Sequence, residues 1–204
     1  FGGPLVRVIV ADDSALLREG IAGLLERQGH EVVAQAAGAD ELLAVVAHHA
    51  AAGVDVVITD VRMPPDYTDD GLRAALRIRA DHPAIGILVV SQYVAPEYAH
   101  QLFGPDGGPS GTLGGLGYLL KDRVARVADF LRSLAVVAAG GVVIDPDVAT
   151  RLLHRTSPRL AALTPREFEV LEPVQVPVLE ATMILLRPEK VSISASRLSR
   201  SSSS

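Results

Sequence analysis

None of the 204 residues is a cysteine, which excludes disulfides, thiolate catalysis and cysteine-ligated zinc. No basic segment leads into an apolar stretch at the start, and no uninterrupted apolar run reaches about 18 residues. Neither a secretory leader nor a membrane span is therefore expected, and the default compartment is the cytoplasm. Positive charge is scarce too. Residues 1–140 carry 11 Lys and Arg against 17 Asp and Glu, and residues 141–204 carry 8 against 7, for a net charge of -5. The first part should repel nucleic acid, and the second is only faintly basic. A phosphate-cradling glycine motif is also missing. Gly104 to Gly117 holds seven glycines and two prolines, but it neither follows a first strand as a dinucleotide fingerprint does nor ends in Gly-Lys-Ser/Thr. It reads as a long flexible loop. Histidine ligand spacing is absent as well: His48 and His49 are adjacent and cannot share a helix face, and His30, His82, His100 and His154 are scattered, so all six read as surface residues.

What is present is a chain that is 49% hydrophobic, enough for one core of ordinary domain size and a smaller appendage. From Val6 to about Gly140 short apolar runs alternate with segments of helical period, the pattern of βα units around a parallel sheet. Five strands are expected, at Val6 to Ala11, Glu31 to Ala36, Val54 to Thr59, Gly86 to Ser91 and Gly117 to Leu120. Helices are expected at Ser14 to Gln28, Ala39 to Ala51, Gly71 to Asp81, Pro96 to Phe103 and Val124 to Ala139. Ser14 suits an N-cap and Gly29 a stop for the first helix, with Leu17, Ile21, Leu24 and Gln28 along one face. Val127, Leu131 and Leu134 mark the buried stripe of the last. Asp145 to Pro158 reads as linker around a short helical segment bracketed by Pro146 and Pro158.

Acidic residues gather where such a sheet binds ligands, beyond the carboxyl ends of its strands. Asp12 and Asp13 follow the first strand, Asp60 the third, Ser91 the fourth and Lys121 the fifth. Three carboxylates at one edge repel unless a cation sits among them, and oxygen donors without cysteine suit a hard ion such as Mg²⁺. A carboxylate can attack phosphorus to form an acyl phosphate, provided that charge on the phosphoryl oxygens is neutralised. Asp60 is the expected acceptor, Lys121 the expected neutralising cation and Ser91 a hydrogen-bond donor to the phosphoryl group. Singly, the same residues are ordinary: Asp12 and Asp13 a turn and cap before Ser14, Ser91 a strand-end hydroxyl, Lys121 a solvated charge beside Asp122. Their combination favours the site.

Asp12-Asp13, Asp60-Val61-Arg62-Met63-Pro64, Ser91 and Gly117-Tyr118-Leu119-Leu120-Lys121-Asp122 resemble the receiver domain of bacterial two-component response regulators, the last motif the NarL/FixJ (LuxR-type) group in particular. The resemblance implies a flavodoxin-like, doubly wound α/β receiver spanning 5–140, with five parallel strands in the order 2-1-3-4-5. It implies phosphorylation of Asp60 by a sensor histidine kinase, with Mg²⁺ on Asp12, Asp13, Asp60 and the Arg62 backbone carbonyl. Lys121 and Ser91 would stabilise the phosphoryl group, and Ser91 and Tyr118 would form a switch pair. Such a protein is a phosphoacceptor regulator with at most slow self-dephosphorylation, not an enzyme in the usual sense. The long loop before Tyr118 departs from the family pattern where the switch couples to dimerisation.

After a linker at 141–160, Leu163-Thr164-Pro165-Arg166-Glu167-Phe168-Glu169-Val170-Leu171 resembles the opening helix of the family's helix-turn-helix domain, placed at 161–172. The 32 residues after Glu172 contain three prolines and no second amphipathic helix leading to a recognition helix, so 173–204 reads as a divergent or disordered tail, and DNA-contacting residues are unknown. The C-terminal region as a whole is expected to be small and mostly irregular or helical. Promoter DNA and a homodimer are the implied partners, with no membrane. The rival output is a receiver acting through protein contacts alone. Two other classes are weaker: a haloacid-dehalogenase-like phosphatase needs an aspartate where Arg62 stands, and a flavodoxin-like cofactor binder needs a phosphate loop after the first strand.

Overall fold

The structure, a computed structural model, describes residues 4–103 and 114–156. Its sheet has six parallel strands: β1 (Arg7–Ala11), β2 (Glu31–Ala36), β3 (Val56–Asp60), β4 (Gly86–Ser91), β5 (Leu116–Leu120) and β6 (Val142–Ile144), in the order β2-β1-β3-β4-β5-β6. The helices are α1 (Ala15–Arg27), α2 (Ala39–His49), α3 (Asp70–Asp81), α4 (Pro96–Phe103), α5 (Lys121–Val124), α6 (Val127–Ala138) and α7 (Pro146–Thr156). This is the expected doubly wound α/β architecture, with the order reversing between β1 and β3.

The central strands are apolar throughout because both of their faces are covered. Ile9, Val57, Ile87, Val89, Leu116 and Tyr118 pack on one face with residues of α2, α3, α4 and α7. Val8, Val10, Val56, Ile58, Leu88, Val90 and Leu119 fill the other with Ile21 and Leu25 of α1 and Phe130, Leu134 and Val137 of α6. The strand period of two divides the residues between the faces. Ser14 caps α1 by accepting from the Leu17 N–H at 3.4 Å, and Gly29 ends the turn after it at φ +84°.

Several expectations need correction. The sheet has six strands, not five. Val142–Ile144 joins the edge of β5 in parallel, and at three residues it is too short to declare a period. The stretch 141–160, expected as a linker around a short helical segment, begins with β6 and then α7, the expected helical segment; Val148 of α7 is buried in the core, with Ile144 and Leu152 packed against it. The helix expected from Val124 to Ala139 is α6, which begins at Val127 and is preceded by the separate turn of α5; its buried stripe is Phe130, Leu134 and Val137, leaving Val127 40% exposed. In α1 the buried residues are Ile21, Ala22 and Leu25, with Leu17 and Leu24 only partly covered. β3 begins at Val56 instead of Val54 and includes Asp60. Most of the glycine-rich loop and everything assigned to the helix-turn-helix and tail, 161–204, lie outside the described residues.

Candidate functional site

β1 and β3 are neighbours and β5 lies beyond β4, so Asp12, Asp60 and Lys121 all emerge at the carboxyl edge of the sheet. Lys121 Nζ lies 2.8 Å from Asp12 Oδ2 and 2.9 Å from Asp60 Oδ2. Asp12 and Asp60 are buried, while Asp13 is exposed at the mouth. One carboxylate oxygen from each of Asp12, Asp13 and Asp60 lies within 4.8 Å of the others. Three carboxylates against one ammonium leave two negative charges, which a divalent cation would balance. The donor set is all oxygen and partly open to solvent, as Mg²⁺ prefers.

The second oxygens of the buried pair point into the backbone. Asp12 Oδ1 accepts the Ser14 N–H at 2.9 Å, and Asp60 Oδ1 accepts the Val61 N–H at 2.7 Å. Burial pushes the Asp60 carboxyl above its ordinary range, and the hydrogen bond and charge of Lys121 offset that only in part, with Asp12 adding to the rise. For Lys121 burial works against the charge, but its hydrogen bonds to Asp12 and Asp60 prevail and raise it, so the ammonium form is held. Gly71 packs against this corner of β3: a Cβ there would sit 1.9 Å from the Asp60 carbonyl oxygen. Only glycine allows α3 to start so close to the site.

Ser91 and Tyr118 meet at a third residue. Ser91 Oγ donates to the Tyr93 carbonyl at 3.2 Å and accepts the Tyr93 N–H at 3.1 Å, and the Tyr118 hydroxyl donates to the same carbonyl at 3.3 Å. The Tyr118 ring is fully buried, and that burial pushes its hydroxyl pKa up. The exposed Arg62 guanidinium stacks 4.6 Å over the Tyr93 ring. Asp13, Asp60, Arg62, Tyr67, Ser91, Gln92 and Tyr93 line an open cleft of about 180 Å³.

Two contributors had no signal in the sequence. Tyr93 lies two residues past a strand end, and its role is carried by a backbone carbonyl, which any residue could supply. Arg18 donates to the Asp12 carbonyl at 2.7 Å and to Gln35 Oε1 at 3.2 Å, behind the acidic pair. As a lone arginine on α1, it belongs to no motif that would single it out. The histidines whose burial is described are exposed or half-buried, and none joins the acidic cluster.

A doubly wound parallel sheet with a lysine-bridged acidic pocket at its carboxyl edge is the architecture of a receiver. Residues 8–108 match the family described as the response regulator receiver domain. The chain is 29% identical over 178 residues to the oxygen regulatory protein NreC of Staphylococcus haemolyticus, covering 81% of this chain and 75% of that protein. It is 29% identical over 171 residues to the probable transcriptional regulatory protein NarL of Mycobacterium tuberculosis, covering 81% of this chain and 72% of that one. The crystal structure of a LuxR-family two-component response regulator from Aurantimonas sp. SI85-9A1 superposes with a TM-score of 0.60 at 26% identity, over 75% of this chain and 99% of that chain. The first part of this chain is a response regulator receiver domain, of the kind that NarL- and LuxR-type regulators carry.

Proposed function

We propose that the chain receives a phosphoryl group on Asp60 and uses it to switch a transcriptional output. The observation that carries this reading is the pair of buried carboxylates bridged by one lysine, with Asp60 lining an open cleft. Asp12, Asp13 and Asp60, with the Arg62 backbone carbonyl, would hold Mg²⁺, which when bound supplies positive charge to the phosphoryl oxygens. The Asp60 carboxylate oxygen forms the new bond to phosphorus while the bond from phosphorus to the donor breaks, and the electron pair leaves with the donor group. Lys121 stays ionised next to the acceptor and neutralises a phosphoryl oxygen. Ser91 turns from the Tyr93 carbonyl to donate to another. Because Tyr118 shares that carbonyl, the turn of Ser91 alters what holds the ring, and Ser91 and Tyr118 act as the switch pair.

The donor is a sensor histidine kinase, and the site belongs in the cytoplasm with it. Among the described residues no helix is long and apolar enough to cross a membrane. Arg62 stands where a phosphatase of the competing class needs a second aspartate and is stacked on Tyr93, which favours a stable acceptor over a turnover enzyme. The output is promoter DNA binding, with a homodimer as the binding form; the transcriptional role in the name of the NarL relative and the resemblance of 161–172 to a helix-turn-helix opening support the DNA-binding part. A salt-dependent shift of duplex DNA by the full chain supports that output, and its absence favours action through protein contacts.

Intact-mass spectrometry after incubation with acetyl phosphate and Mg²⁺ tests the core of the reading. One phosphoryl adduct is expected, dependent on Mg²⁺ and missing from Asp60→Asn. An adduct retained by that variant would overturn the assignment.

A further inference from the structure

Lys121 opens α5, a helix of four residues whose N-cap, Leu120, supplies no side-chain cap. One uncapped turn is weak support for an ammonium that must hold two carboxylates. The support comes from the residue between β6 and α7. The carboxylate of Asp145, fully buried, accepts the Leu120 N–H at 3.3 Å and Arg123 Nε at 2.9 Å on Oδ2, and Arg123 Nη2 at 3.3 Å on Oδ1. The residue before Lys121 and the residue two after it are therefore tied to one carboxylate. Oδ1 also accepts the Asp147 N–H at 3.0 Å at the start of α7, and the Asp145 N–H donates to the Tyr118 carbonyl at 2.8 Å. Arg123 reaches on to Asp147 Oδ2 at 3.1 Å.

We infer that Asp145, acting through Arg123 and the Leu120 N–H, is a positioning residue for Lys121: it staples both sides of the β5–α5 junction so that the ammonium is held within hydrogen-bond reach of Asp60. The same carboxylate anchors the first turn of α7, so the pocket and the last described helix share one fastening point. This rests on reading Asp60 as the phosphoacceptor. Neither Asp145 nor Arg123 belongs to the acidic pocket, so replacing them leaves every proposed Mg²⁺ ligand in place.

The test uses the full chain with Arg123→Gln and Asp145→Asn, and with Arg123→Lys as the conservative variant. Uptake of phosphoryl from acetyl phosphate is followed by intact mass, Mg²⁺ affinity by calorimetric titration, and the 120–124 amides of the metal-free chain by hydrogen exchange. Arg123→Gln and Asp145→Asn are expected to slow uptake roughly tenfold at saturating Mg²⁺, because a misplaced group loses rate without losing its ligands. Mg²⁺ affinity should stay unchanged and the 120–124 amides should exchange faster, with Arg123→Lys falling between. Wild-type rates in both main variants would overturn the inference, as would a loss of rate matched by a loss of Mg²⁺ affinity. No uptake by the unmodified chain would instead overturn the phosphoacceptor reading itself, and this inference with it.

Discussion

Asp60 and Asp145 are both buried aspartates at the carboxyl edge of the same sheet, 7% and 0% exposed, yet they are provisioned in opposite ways. Asp145 receives four donor contacts that fill both of its oxygens, two of them from an arginine that also reaches the exposed carboxylate of Asp147. Asp60 receives two, from Lys121 and the Val61 N–H, and it shares the lysine with Asp12 while Asp13 adds a third negative charge nearby. A buried charge with every acceptor filled holds elements together. A buried charge left in deficit costs stability in the resting chain and is affordable only where something else is meant to bind. The contrast separates architecture from chemistry along one edge of one sheet.

Removing the satisfied charge should hurt most. Asp145→Ala leaves the Leu120 and Asp147 N–H groups without their acceptor and Arg123 with Asp147 alone, and is expected to cost about 3 kcal/mol in denaturant unfolding. A loss under about 1 kcal/mol, the worth of a single ordinary hydrogen bond, would erase the distinction. Supplying the missing charge comes next. Mg²⁺ at a hundredfold over its dissociation constant should stabilise the wild-type chain by about 2.7 kcal/mol, and Asp13→Asn should forfeit most of that. Equal stabilisation of both would mean that the ion binds elsewhere.

Smaller, and opposite in sign, is the effect of deleting the unsatisfied charge. Without metal at neutral pH, Asp60→Asn should raise stability by on the order of 1 kcal/mol, the usual gain when a strained functional residue is relieved. The pH dependence follows from the upward shift of Asp60. Between its unfolded and folded pKa the folded chain binds more protons, so stability falls as pH rises through that window. The gap between variant and wild type should accordingly close as the solution is acidified from above the raised value toward the unfolded one. For Lys121, also raised, the ion-pair contribution is present below the unfolded lysine value and is lost as pH climbs through the folded one. An Asp60→Asn chain less stable than wild type in thermal melts at neutral pH would sink this part. Least of all, Tyr118→Phe removes one 3.3 Å hydrogen bond and should cost about 0.5 to 1 kcal/mol, with the ring still buried.

Much of this geography was readable in the residues. β2, β4 and α4 have the bounds that their apolar runs and flanking breakers indicate, and the chemistry-bearing side chains converge because each stands at the end of a run that had to be a parallel strand. What escaped is non-local. β6 is three residues long, and only the waiting edge of β5 makes it a strand. Asp145 looked like a linker residue before a proline because its partners, Leu120 and Arg123, are more than twenty positions away. The face of α6 was misread by one step of the helical period: Leu134 fits both stripes, and packing against β4 and β5 selects the one through Phe130. Tyr93 was hidden for a different reason, since a carbonyl acceptor leaves no trace in side-chain identity.

The most direct test of the central claim is to locate the bond. The chain would be treated with acetyl phosphate and Mg²⁺, reduced with borohydride, which converts a phosphorylated aspartate to homoserine, and sequenced by peptide mass spectrometry. Homoserine at position 60, formed only with Mg²⁺, is the expected result. Homoserine at another aspartate, or none in a chain that remains folded, would contradict the assignment of Asp60 as the phosphoacceptor.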